Sequence, residues 1–159
     1  MPVRKSWVDK LHDSKNLPKV VAIEGKMSTR WGTGTVVIPA PIEVDAIMKQ
    51  VPKGRLITIN QIRARLAGTH KATIACPITV GIFAWIAAHA AEEEKAAGRK
   101  RTTPYWRTLK YAGELNPKYP GGIGAQRKKL EAEGHTVVRK GVRWFVLDHE
   151  KRLVKEGIS

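Results

Sequence analysis

The feature that most constrains this chain is a pair of helical patterns joined by a short turn, inside a long stretch without acidic residues. Thr58-Ile59-Asn60-Gln61 has the form of a capping box, with a hydroxyl at the N-cap and a glutamine three residues on. The spacing predicts a helix running to Ala67 that buries Ile59, Ile62 and Leu66. Gly68-Thr69-His70 reads as the turn. Pro77 suits the first position of a second, longer helix reaching about Ala97. Ile78, Ile82, Trp85, Ile86 and His89 recur along it at helical spacing. Two such helices predict a helix-turn-helix. Glu92, Glu93 and Glu94 lie too late in the second helix to favour its N-terminal dipole and are expected to form a solvated end.

Charge points to the partner. The chain has 159 residues, with 29 Lys plus Arg against 14 Asp plus Glu, a net charge of +15. Such an excess favours a polyanion. From Asp45 to Glu92 no carboxylate intervenes, while Lys49, Lys53, Arg55, Arg63, Arg65 and Lys71 do. A face built against phosphates has this pattern, because a carboxylate there would be repelled. No apolar run is long enough to span a membrane. The start shows no secretory signal pattern, and the single Cys76 excludes an internal disulfide and fits a reducing compartment. The expectation is a cytoplasmic, nucleoid-associated monomer on double-stranded DNA.

The flanking segments complete the architecture. Residues 1–40 are expected to be an N-terminal extension. In it Ser6 to Leu11 begins a short helix, Gly25, Gly32 and Gly34 interrupt regular structure, and Trp31 either anchors the arm or stacks on a base. Thr35 to Ile38 reads as a strand ended by Pro39 and Pro41, and a helix follows from Ile42 to Gln50. Gly98 to Arg101 is a basic linker, and 102–122 is a loop rich in Pro, Gly and Tyr. A helix spans 123–133. His135 to Arg139 and Val142 to Leu147 form a hairpin, which is either a wing beside a duplex or a sheet covering the core. A short final helix covers Glu150 to Lys155. The fold class is therefore α+β and mostly helical, a winged helix-turn-helix over 41–159.

Four segments, in order, carry a resemblance. These are Val51-Pro52-Lys53-Gly54-Arg55-Leu56-Ile57-Thr58, Thr103-Pro104-Tyr105-Trp106-Arg107, Tyr119-Pro120-Gly121-Gly122, and Gln126 to Gly134. Over about 51–134 the chain resembles the DNA-binding domain of the methylguanine-DNA methyltransferase (MGMT) family. Tyr105 stands where that family carries its cysteine and Trp106 where it carries a histidine. A phenol with a pKa near 10 is a poor nucleophile at neutral pH, so methyl transfer is not expected. The chain is instead similar to the alkyltransferase-like proteins, which also carry an aromatic residue there. That resemblance implies non-enzymatic binding of DNA, alkylated guanine included, with the base flipped into a pocket and repair-pathway proteins acting afterwards.

The candidate residues follow. Lys53, Arg55, Thr58, Asn60, Arg63, Arg65, Lys71, Ile78 and Thr79 are expected to contact DNA. The resemblance implies a base pocket of Tyr105, Trp106, Arg107, Tyr119, Gly121 and Gly122, with Arg107 mainly bracing its loop. Two departures bear on flipping: Ile78 stands at the family's intruding arginine and Ile59 at its tyrosine, although apolar wedges also unstack bases. Two other readings are a DNA-binding regulator or architectural protein without lesion recognition, and an enzyme acting on a base through Tyr105 or Cys76. Cys76, at a helix start but flanked by apolar residues, reads as a buried inert thiol or a displaced acceptor. His70 either touches phosphate or is solvated. The five histidines are scattered, so neither a metal nor any other cofactor is expected.

Overall fold

The computed structural model describes residues 5–155. Its centre is the 20-residue helix α5 (Pro77–Ala96). Small residues face the core along it: Val80, Ala84, Ala87, Ala88, Ala90 and Ala91 are all buried. Their short side chains let three other helices approach closely: α1 (Trp7–His12), α3 (Pro41–Lys49) and α4 (Ile59–Thr69). The core face is thus an alanine face. The bulky series Ile78, Ile82, Trp85, Ile86, His89 lies on another side of the helix, where Ile78 and Ile82 are exposed. Two apolar stripes compete at helical period here, and tertiary packing selects the smaller one.

Residues 5–40 pack into the same body as the rest. The Ser6 hydroxyl caps α1 by accepting from the Asp9 N–H at 3.0 Å. The Trp7 ring stacks on His89, with centroids 4.5 Å apart, and meets Trp85 edge-on at 4.8 Å. The Trp7 and Val8 N–H groups, left free at the helix start, donate to the two oxygens of Glu93, each at 3.1 Å. Glu93 is therefore a cap for another helix. Its neighbours are engaged too: Glu94 pairs with Arg99 at 3.0 Å, and Glu92 accepts from Tyr105. The expected solvated acidic end is a junction.

Strand β1 (Lys19–Ala22) runs antiparallel to β2 (Thr35–Ile38), and β2 runs parallel to β4 (Ile74–Ala75), pairing Val36 with Ile74 and Val37 with Ala75. This sheet joins the N-terminal segment to the connection between α4 and α5. Between β1 and β2 lies α2 (Lys26–Trp31), whose Trp31 packs on a cluster of Ile23, Val36 and Cys76. Trp31 thus anchors the segment.

The second half surrounds α6 (Gly122–Ala132). Strand β3 (Ile57–Thr58) pairs in parallel with β5 (Thr108–Leu109). The hairpin β6 (Val137–Lys140) and β7 (Arg143–Val146) turns at Gly141, whose φ of +65° suits glycine. The hairpin closes a cluster of Leu56, Leu109, Leu115, Leu130, Val137 and Val146, so it covers core. Where a final helix is expected, the chain makes a 3₁₀ turn at His149–Arg152 and then an extended contact, with the Val154 N–H donating to the Leu56 carbonyl at 2.8 Å. The class is α+β with small sheets. No described helix is long and apolar enough to cross a membrane.

Candidate nucleic-acid interface

The expected capping box forms in full. The Thr58 hydroxyl accepts from the Gln61 backbone N–H at 3.2 Å, and the Gln61 side-chain Oε1 accepts from the Thr58 N–H at 3.1 Å. Helix α4 continues two residues past the expected stop. Gly68 lies inside it, and the left-handed position of the connection is Lys71, with φ +54°. The turn closes through the Ala72 N–H, which donates to the Ala67 carbonyl at 2.9 Å.

The structure separates the nine expected DNA-contacting residues into two groups. Lys53, Asn60, Lys71 and Ile78 are exposed, Ile78 at 59%. The others have partners inside the protein. Arg63 Nε donates to the Ala75 carbonyl at 3.0 Å, and an Arg65 terminal nitrogen donates to the Lys155 carbonyl at 3.3 Å. Arg55, although exposed, lies 3.5 Å from the Lys151 carbonyl. The buried Thr58 hydroxyl is the helix cap, and the Thr79 hydroxyl donates to the Cys76 carbonyl at 3.4 Å. His70 Nε2 sits 2.6 Å from Glu43 and is neither free nor fully solvated.

In the Pro104-Tyr105-Trp106-Arg107 loop Tyr105 is buried, while Pro104, Trp106 and Arg107 are half-buried. Tyr105 and Tyr119 are 1% and 3% exposed, with ring centroids 5.6 Å apart and nearly perpendicular planes. The Tyr105 hydroxyl donates to Glu92 at 3.0 Å. Burial pushes both phenols well above their ordinary range, and the carboxylate of Glu92 pushes Tyr105 further. A phenolate nucleophile is therefore strongly disfavoured at this position. The two tyrosines fill space and line neither of the clefts described below. Arg107 braces the loop: it chelates Glu133, with its closest contact at 2.7 Å, and donates to the Val51 carbonyl at 2.8 Å. Burial raises the Glu133 carboxyl, but the hydrogen bonds and charge of Arg107, with smaller help from Trp106 and the Gly54 backbone, together leave the group below the usual carboxylate range. Gly121, at φ +80°, and Gly122, at φ +74°, form the turn into α6; a Cβ on Gly121 would meet Ala125 Cβ at 2.5 Å. Cys76 is buried at the N-cap of α5.

An open cleft of about 290 Å³ lies between the N-terminal half of α5 and the loop before α6. Ile78, Gly81, Ile82 and Trp85 form one wall; Lys110, Asn116, Pro117 and Lys118 form the other. Apolar groups therefore face amines across a groove. Sequence reasoning singled out Ile78 but missed the rest. The available signal was the four-residue step from Ile78 to Ile82, which the competing alanine stripe makes redundant for the core. Among the described residues, no group of three or more His, Cys, Asp or Glu side chains is placed to hold a metal.

Comparison with known proteins places the fold. No protein-family model matches the chain, and no curated protein sequence matches it. Two solved structures share its architecture. One is S. pombe Atl1 in complex with damaged DNA containing O6-carboxymethylguanine, at 19% identity and a TM-score of 0.50. The other is S. pombe ATL in complex with DNA, at 19% identity and a TM-score of 0.51. Each alignment covers 72% of this chain and 94% of the other. The chain is similar in fold to an alkyltransferase-like protein.

Proposed function

We propose that this protein binds double-stranded DNA without catalysing a reaction on it, and that it favours duplexes carrying an alkylated guanine. The observation that carries the reading is the exposed Ile78–Ile82 edge on the first turns of α5, facing Lys110 and Lys118 across a groove. It occurs in a fold shared with two DNA complexes, one of which holds damaged DNA. In this reading α4 and the start of α5 approach the duplex, and Lys53 and Lys71 neutralise phosphates. Ile78 acts as an apolar wedge that helps unstack the lesion. The displaced base enters the groove between α5 and the 110–118 loop, where Trp85 offers an aromatic edge and Lys110, Asn116 and Lys118 offer donors.

The test is equilibrium binding to matched duplexes with and without one O6-alkylguanine, at several salt concentrations. Tighter binding to the alkylated duplex, with intact lesions afterwards, is the expected result. Equal affinity for both duplexes would replace lesion recognition with a regulatory or architectural role. Loss of the alkyl group from the DNA would replace the non-enzymatic reading.

A further inference from the structure

A cleft of about 910 Å³ lies at the other end of α5, where nothing in the duplex-binding reading uses it. Along α5, Lys95 stands 18 residues beyond Pro77, which at 1.5 Å per residue is about 27 Å. Pro104 and Trp106 form one wall of this cleft, the basic linker after α5 forms another, and Lys129 of α6 reaches in. Several of its cations already have carboxylate partners: Lys49 with Asp45 at 3.1 Å, Arg99 with Glu94 at 3.0 Å, and Arg107 with Glu133. Among the described residues Lys95, Lys100, Arg101 and Lys129 have none. Lys129 Nζ instead hovers 4.9 Å from the Trp106 ring centroid. Glu92, the one acidic residue on the wall, is engaged by the Tyr105 hydroxyl.

We propose that this cleft is a second nucleic-acid site, which takes a single strand by stacking a base on Trp106 and holding its phosphates with Lys95, Lys100, Arg101 and Lys129. The ring and the surrounding amines together select the ligand. An acidic peptide would satisfy the amines but has no use for the indole, whereas a base stacks on an aromatic face while its backbone meets the charges. The base must be free of its pair to lie on the ring, so the site suits a strand rather than a duplex. Lys129 moves from the ring to a phosphate as the base arrives. The proposal is independent of the duplex-binding reading, because the two sites share no residue.

The experiment measures binding of a ten-nucleotide oligo-dT and of an undamaged duplex to the full chain and to two variants. In Lys100→Ala plus Arg101→Ala, oligo-dT affinity is expected to fall at least tenfold. Its log–log salt slope should flatten by about 1.4, at about 0.7 per lost phosphate contact on a single strand. Duplex affinity should stay within about threefold. Lys53→Ala plus Lys71→Ala should show the reverse. Because Trp106 also packs on core, Trp106→Phe keeps an aromatic ring; quenching of tryptophan emission by oligo-dT should drop in it while binding persists. No oligo-dT binding, equal losses in both double variants, displacement of the oligomer by polyglutamate at equal charge, or unchanged quenching in Trp106→Phe would each overturn the site.

Discussion

Replacing Glu133 with alanine removes the partner of a guanidinium that ties three parts of the chain together. Arg107 holds the carboxylate through both Nε and a terminal nitrogen, while its other terminal nitrogen reaches the Val51 carbonyl just before the turn into α4. The two side chains are 13% and 8% exposed. Breaking a buried pair by deleting one member costs about 3–5 kcal/mol, because the survivor keeps its desolvation penalty. Water reaches the edge of this pair, so the lower figure, about 3 kcal/mol, applies. For a chain of this size, about 2–4 °C per kcal/mol converts this to a fall in Tm of roughly 6–12 °C. Urea unfolding followed by tryptophan emission gives the free energy, and a thermal melt gives the second reading. The sign with pH is also fixed. The folded carboxyl lies below its unfolded value, so its contribution is present above the unfolded pKa, about 4.3, and is lost as pH falls through the folded value. The wild type and Glu133→Ala should therefore converge in stability under acid. A control in which both residues become leucine should recover much of the loss. A destabilisation below about 1 kcal/mol, or a difference between wild type and variant that does not shrink in acid, would refute the brace.

Other outcomes follow from the same geometry. Lys53→Ala plus Lys71→Ala should weaken binding to all duplexes and flatten the salt slope by about 1.8, at about 0.9 per phosphate on double-stranded DNA. Ile78→Ala should erase preference for an alkylated duplex without shifting Tm by more than about 2 °C, since Ile78 is 59% exposed; this is read by fluorescence anisotropy and a thermal melt. Tyr105→Phe should leave DNA binding intact and cost stability by about 1–2 kcal/mol, because it removes a hydrogen bond to Glu92, as checked by urea titration. Glu114, held below the usual carboxylate range by its Arg143 hydrogen bonds, should add to acid lability. Arg143→Ala should thus reduce the stability lost between pH 5 and pH 3.

Local signals located the elements whose stability is local. The Thr58–Gln61 box and Pro77 at N1 place the starts of α4 and α5, and Lys140-Gly141 places the hairpin turn. Strands β3, β4 and β5 have two residues each and exist only because distant segments supply their partners, so no periodicity announces them. Strand β1 has all four residues exposed and thus no alternation to read. Residues 5–34 look polar and irregular, yet Leu11 and Ile23 are buried. At the candidate interface, charge and exposure parted company. Residue type marked Arg63 and Arg65 as phosphate ligands, but backbone carbonyls already engage them. The groove was hidden for another reason: its apolar wall, at Ile78 and Ile82, has the helical spacing that ordinarily marks a core.

The hydrogen bond between Tyr105 and Glu92 has a bearing on how this protein can evolve. A cysteine at position 105 would empty most of a site that is now 1% exposed and leave Glu92 without its donor. Deleting large buried aromatic groups costs about 3–5 kcal/mol, a large share of a domain's stability. The new thiol would sit beside the Trp106 indole, a side chain that donates a proton but accepts none. A lineage carrying this loop would need a base in place of Trp106, a smaller neighbourhood around position 105 and a new partner for Glu92 before thiol chemistry gave any advantage. The aromatic state of this loop is therefore locked by packing, because a single replacement at position 105 costs stability before any thiol chemistry could operate there.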